Sequence, residues 1–450
     1  MKNKNYKYLI GALLFFIIMI SGINLIYQGP DNYQNNIKKP DVAGNLEGAE
    51  NILITSIERM GNVSAYGMLN LMDNLTFQNN NDNPIDSIFY GVPLKHSEDL
   101  IYYKAYGGSG DSLVVERNNM IMGKYELLVI FLDTPLLPHQ STEVFIFQTY
   151  KNLITYELQT DPTTQLNENF TFTVWPTMPY RAEGSIHTLY KLPNTATNDY
   201  YEQIGDTGGY DESNGYHWYL DETGYDHLDP FLTNIPDLRL SKNGGEYISI
   251  VFYDNVLKSS EVTIEELTRN IKVTPWGLIT VEEQFQVQNH GYIDQEGIYI
   301  NIPANAKNVR VFDNLGELDI EFGVVTRGKL RLLINFVPKR PVLTQSSKMN
   351  LILTYNLPPE AYFQTNWIEQ SFKIDFVLTQ FEFLTKKETI NLIVEGCGPV
   401  SYISAAPNSI KQTGNSKVFV YFSDYVSPIE KKVFLITYAI DLFDLLLRPI

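Results

Sequence analysis

The chain has 450 residues, of which 52 are acidic and 34 basic, and its net charge of −18 excludes nucleic acid as a partner because phosphates demand Lys and Arg. Hydrophobic residues at 44%, with 30 Tyr and 24 Phe, exclude a disordered chain and favour strands over helices. A single cysteine, Cys397, excludes an intramolecular disulfide and a cysteine-based zinc site.

The length predicts two domains behind a targeting segment. Residues 1–8 form a basic tail with Lys2, Lys4 and Lys7. Leu9 to Tyr27 then runs nineteen residues without a charge, about 28 Å as a helix, which matches the apolar thickness of a bilayer. This reads as a transmembrane anchor at 9–27, with the N-terminus cytoplasmic and the bulk of the chain outside. A cleaved signal peptide is the alternative, although no Ala-x-Ala site follows. Residues 28–50 are polar, with Pro, Gly and Asn, and read as a linker.

From Asn51 short apolar runs recur at Ile52–Ile57, Leu100–Tyr106, Leu127–Leu132 and Val144–Tyr150, separated by Asn-rich and Gly-rich turns. They predict a first β-sandwich domain over 51–258. Asp199 to Pro230 is dense in Tyr, Gly and Asp and reads as a solvated excursion between strands. Its aromatic stretch from Tyr200 to Tyr225 is a candidate partner contact. A second β-sandwich domain is predicted over 259–450, with strands near 298–302, 330–336, 349–355, 390–394, 418–422 and 433–438. The expected architecture is all-β: two tandem β-sandwiches behind an N-terminal transmembrane helix.

No catalytic, cofactor-binding or metal-binding motif is visible. Gly107–Gly110 lacks the Gly-Lys-Ser/Thr ending of a phosphate loop. The six histidines are scattered and form no His-Glu-x-x-His pair. Cys397, in Gly396-Cys397-Gly398-Pro399, is expected in a tight turn as a bystander. Three sequons make Asn62, Asn74 and Asn169 candidate N-glycosylation acceptors. Around the third, Phe170, Phe172 and Val174 should point inward and leave Asn169 and Thr171 on the solvent face.

The stretch Glu265 to Gly291 organises the second half. Pro275 and Gly277 predict a turn at Thr274-Pro275-Trp276-Gly277. After it Ile279, Val281, Phe285 and Val287 share one strand face, and only Glu283 breaks the alternation. Trp276 is expected to cover an end of the sandwich.

This stretch resembles the ribophorin I family, an accessory subunit of oligosaccharyltransferase. The resemblance lies in Leu267-Thr268-Arg269-Asn270-Ile271, Trp276-Gly277, Val281-Glu282-Glu283 and His290-Gly291. It continues in Thr354-Tyr355-Asn356-Leu357-Pro358, an aromatic run through Tyr362, Phe372 to Phe376, and the turn at Glu395-Gly396. A fainter echo runs from Val144 to Trp175-Pro176, so the resemblance spans roughly residues 140 to 445. It implies structural roles for Arg269, Trp276, Gly277, Tyr355, Asn356 and Pro358. It also implies a non-catalytic role, with the catalytic oligosaccharyltransferase subunit and other complex members as partners. The setting would be an endoplasmic reticulum lumen or a prokaryotic cell exterior. The family's C-terminal transmembrane helix is not found, since Ile440–Leu447 is short and carries Asp441 and Asp444, which marks a divergent member. The alternative reading is a membrane-tethered surface module for binding or adhesion, sharing only the fold.

Overall fold

Alternating apolar and polar residues dictate strands, and strands buried on one face must stack into layers. In the computed structural model this rule accounts for almost every element. The structure describes residues 48–440, except 65, 123, 159–165, 193–195, 203–208, 212–216, 229–246, 255–260, 366–368, 377 and 431. Over 193–260 it describes the remaining residues by backbone alone. The predicted anchor at 9–27, the tail and linker before residue 48, and the segment 441–450 lie outside the described residues.

The first half contains a ten-stranded sheet and a four-stranded sheet. At the centre of the larger sheet lies a hairpin of Ile52–Val63 and Leu69–Asn79. Its first strand pairs in parallel with Arg181–Lys191, and its second pairs antiparallel with Ser141–Tyr150. The smaller sheet is built from Ile154–Leu158, Leu166–Thr173, Ala196–Glu202 and Tyr247–Asp254.

The second half repeats the plan with one eight-stranded and two four-stranded sheets. Its central hairpin is Val262–Val273 and Ile279–Asn289. The first strand pairs in parallel with Leu384–Glu395, and the second pairs antiparallel with Lys348–Leu357. The core between these sheets draws Ile271 and Phe285 from the largest, Ile300 and Ile334 from the second, and Phe372 and Ile436 from the third.

The predicted apolar runs of both halves fall inside strands, except that the run 330–336 ends one residue beyond the strand Lys329–Asn335. Two expectations need correction. Asp199 to Pro230 is no plain excursion, because it contains the end of Ala196–Glu202, then Gly209–Asp211 and His217–Leu228. The last of these pairs along Arg181–Lys191 and extends the ten-stranded sheet. Backbone pairing with a neighbouring strand does not require clean alternation, so the composition concealed it. Its side chains, including the Tyr200–Tyr225 aromatics, lie outside the described residues.

At the second site only Gly396 turns, with φ 64°. Cys397, Gly398 and Pro399 belong to the strand Cys397–Ile403, which crosses into another sheet. Cys397 is buried, and burial pushes its thiol up to about 11, which leaves it unreactive.

Candidate functional site

The two hairpins are the same device built twice, with every matched residue at one constant offset. The first strands bulge at Ile54/Ser56 and at Ile264/Glu266. Arg59 stands opposite Asp73, and Arg269 opposite Glu283. Asn79 and Asn289 close the second strands identically. The Asn79 amide donates to the carbonyls of Asn83 at 2.9 Å and Leu136 at 2.8 Å. The Asn289 amide donates to those of Ile293 at 2.8 Å and Leu343 at 2.9 Å. Each Asn oxygen accepts the N–H two residues on, from Asn81 and Gly291.

Each arginine is fully buried. Arg59 grips Asp73 through Nε at 2.7 Å and a terminal nitrogen at 2.8 Å. It also donates to Tyr90 Oη at 2.9 Å and, on the smaller sheet, to Thr173 Oγ1 at 2.8 Å. Gln148 Nε2 donates to Tyr90 Oη at 2.9 Å, which completes a network between the two sheets.

Arg269 donates to Glu283 at 2.5 Å, to Glu388 at 2.7 Å and to the Thr379 carbonyl at 2.9 Å. Lys432 approaches Glu388 at 3.1 Å. Burial pushes the Glu388 carboxyl up, but Arg269 and Lys432 outweigh it and hold the group below the usual range. Glu283, the residue that breaks the alternation, is thus the buried counter-charge of Arg269. Tyr355 is buried beside it, where burial and the Glu283 charge both raise its hydroxyl. Glu283 and Glu388 share Arg269, and Lys432 bridges Glu388 to Glu430 at 3.5 Å, so the cluster ties neighbouring strands together through charge.

The hairpin tips also correspond. Ser64 N–H donates to Met68 O at 2.8 Å and Gly67 N–H to Ser64 O at 3.2 Å. In the second hairpin Thr274 N–H donates to Leu278 O at 3.0 Å and Gly277 N–H to Thr274 O at 2.9 Å. Gly67 has φ 88° and Gly277 φ 83°, a conformation that glycine adopts freely. The predicted Thr274–Gly277 turn is therefore present.

Trp276 does not cover an end of the core, contrary to expectation, because the residue is 58% exposed beside Leu278 at 50%. The inward side of the turn belongs to Gly277, where a Cβ would lie 3.4 Å from Pro359. Asn356 and Pro358 are half-buried on the adjoining strand and at the start of the helical turn Pro359–Ala361. The resemblance blocks Trp276-Gly277 and Tyr355–Pro358 thus meet at one end of the second half, with Ile279 opposite Leu357.

The sequons differ in setting. Asn62 is exposed, whereas the Asn74 amide donates to Glu143 at 2.8 Å and Glu58 at 3.2 Å. Phe170, Phe172 and Val174 are buried with Asn169 and Thr171 on the other face, as alternation requires. Among the described residues no group of three His, Cys, Asp or Glu side chains could hold a metal ion. Also among them, no helix is long and apolar enough to cross a membrane. A cleft of about 150 Å³ between the halves is lined by residues including Tyr66, Lys151, Tyr156, Glu261 and Thr263.

The sequence reading missed the Arg59 network and the duplication itself. Their signal was the spacing shared by Arg59, Gly67, Asp73 and Asn79 with Arg269, Gly277, Glu283 and Asn289.

Fold and buried clusters define a duplicated all-β scaffold held by one arginine–carboxylate centre in each half. The chain matches the family described as ribophorin I over residues 54–293, slightly more than half its length, and it belongs to that family. The match takes in most of the first half, where the resemblance was faint, and stops before Thr354–Pro358 and Glu395-Gly396. No curated protein matches by sequence.

Solved structures give distant likenesses. One is a protein from Legionella pneumophila described as nutrient-binding, at 10% identity and TM-score 0.30, covering 46% of this chain and 68% of that one. Another is an M1 zinc metallopeptidase from Deinococcus radiodurans, at 11% identity and TM-score 0.28, covering 39% of this chain and 42% of that one. A third is leukotriene A4 hydrolase from Saccharomyces cerevisiae, at 13% identity and TM-score 0.28, covering 40% of this chain and 29% of that one. At such scores none of them bears on activity.

Proposed function

We propose that the protein is a non-catalytic subunit of an oligosaccharyltransferase-type complex for N-linked glycosylation. It positions the catalytic subunit or the acceptor polypeptide by contact. Membership of the ribophorin I family is the observation that supports this reading. In it, residues 9–27 hold the chain at the membrane, and two sandwich domains, 51–258 and 259–450, stand in an endoplasmic reticulum lumen or outside a prokaryotic cell. Asn62, the exposed member of the three sequons, is the one that accepts a glycan. Asn74 is held by two carboxylates.

Purification of the full chain from native membranes tests the reading. A glycosyl-transferring multispan subunit should co-purify in stoichiometric amount. Recovery of the chain without any such subunit overturns it.

A further inference from the structure

Tyr66 and Trp276 occupy equivalent places in the two hairpin tips, and the fate of the first tip is visible. Tyr66 is only 6% exposed, with its ring edge-on to Phe383 at 5.3 Å between centroids. Ser64 Oγ donates to the Glu382 carbonyl at 2.8 Å. The tip of the first hairpin is thus a plug seated on the strand end Glu382–Leu384 of the second half. An aromatic ring and one hydroxyl make the contact. The tip of the second hairpin keeps the same backbone, a hydroxyl at Thr274 and a larger ring at Trp276, yet that ring stands in solvent.

We propose that the Trp276 tip seats on the strand end of a β-sandwich domain in another polypeptide, as Tyr66 seats on Phe383. The receptor it requires is an aromatic residue with an adjacent acceptor carbonyl. These stand at the start of the strand that runs parallel to the receptor domain's own central hairpin. Among the described residues two positions are of that kind, and both are filled. Phe383 lies under Tyr66. Its counterpart by the parallel register, in which Leu53 faces Arg181 as Thr263 faces Leu384, is Tyr180. The Tyr180 ring is buried edge-on to Phe77 at 5.7 Å, and its hydroxyl accepts the Phe89 N–H at 2.7 Å. Among its described residues a second copy therefore offers no open receptor, which points to a different chain as the occupant. Exposed Trp is the side chain best suited to anchor such a contact. The inference deepens the reading above by naming the contact, and rests on it only in requiring a partner chain.

The test uses the full-length chain in its native membranes, with p-benzoylphenylalanine at position 276 and with the variants Trp276→Glu and Trp276→Tyr. The photo-crosslinked peptide should map to an aromatic-bearing strand end in a β-sandwich domain of another chain. Trp276→Glu should reduce recovery of that chain at least about tenfold at an unchanged melting temperature, and Trp276→Tyr should retain it. A crosslink to a second copy or to lipid overturns the proposal. So does undiminished recovery with Trp276→Glu, or a fall in its melting temperature. A crosslinked β-sandwich partner without any glycosyl-transferring subunit sinks the functional reading alone. An intact complex with Trp276→Glu sinks the docking alone.

Discussion

Arg269 shows how one charged side chain can order a core between β-sheets. Its guanidinium is spread over two carboxylates and a carbonyl, all out of water, so each partner depends on it. Truncation leaves Glu283 and Glu388 facing each other without their shared cation. Arg269→Ala should therefore cost roughly 3–5 kcal/mol, read as a fall in denaturant midpoint at constant slope. A loss below about 1 kcal/mol would make the cluster dispensable.

Glu265 offers a second measurement at this scale. Partial burial raises its carboxyl, but hydrogen bonds from Lys386, Thr263 and His290 prevail and bring it down to about 2. A carboxyl depressed on folding stabilises above its unfolded pKa, and that contribution is lost as pH falls through the folded one. Wild type should exceed Glu265→Gln in melting temperature above about pH 5, and the gap should close towards pH 2. A gap independent of pH would mean that packing, not ionisation, is what Glu265 contributes.

Among the elements, the bulged first strand of each hairpin sets the geometry. In the first half the bulge at Thr55 is accommodated by Gly184 on the parallel partner strand, at φ 127°. A Cβ there would lie 2.2 Å from the Thr55 carbonyl oxygen. Backbone must move in Gly184→Ala, since the obstacle is main chain and not a flexible side-chain tip. Strain alone should cost about 1–3 kcal/mol, and amide exchange should quicken along Arg181–Lys191 before it does elsewhere. Uniform exchange across both halves would count against a local role for the bulge.

For residues 48–440 as a whole, the Tyr66 tip couples the two halves. Tyr66 belongs to the core cluster of the second half, while Thr149 and Ser427 share a buried hydroxyl contact at 2.6 Å, and Lys151 lies over the Tyr425 ring at 4.3 Å. Tyr66→Ala removes a seated ring and should cost about 3 kcal/mol or more. Calorimetry should show one transition for the wild type and a split or broadened one for Tyr66→Ala as the halves uncouple. Trp276→Ala, at the equivalent but exposed place, should leave the transition unmoved.

Period-two alternation marked strands such as Ile279–Asn289 by itself, because a half-buried strand has no other way to hide one face, but it missed His217–Leu228, which only its pairing with Arg181–Lys191 reveals. The turn at Gly277 followed equally from local backbone freedom, and the family from the wording around Arg269 and Trp276. Glu283 was legible as an anomaly, but its partners Arg269 and Glu388 come together only through strand register. Whether an aromatic at a hairpin tip is seated or exposed depends on what lies beyond the tip. Tyr66 and Trp276 sit on nearly identical local backbone, and one meets Phe383 while the other meets solvent. That difference lies in contacts between residues hundreds of positions apart, so no local rule contains it, and only the tertiary structure decided it.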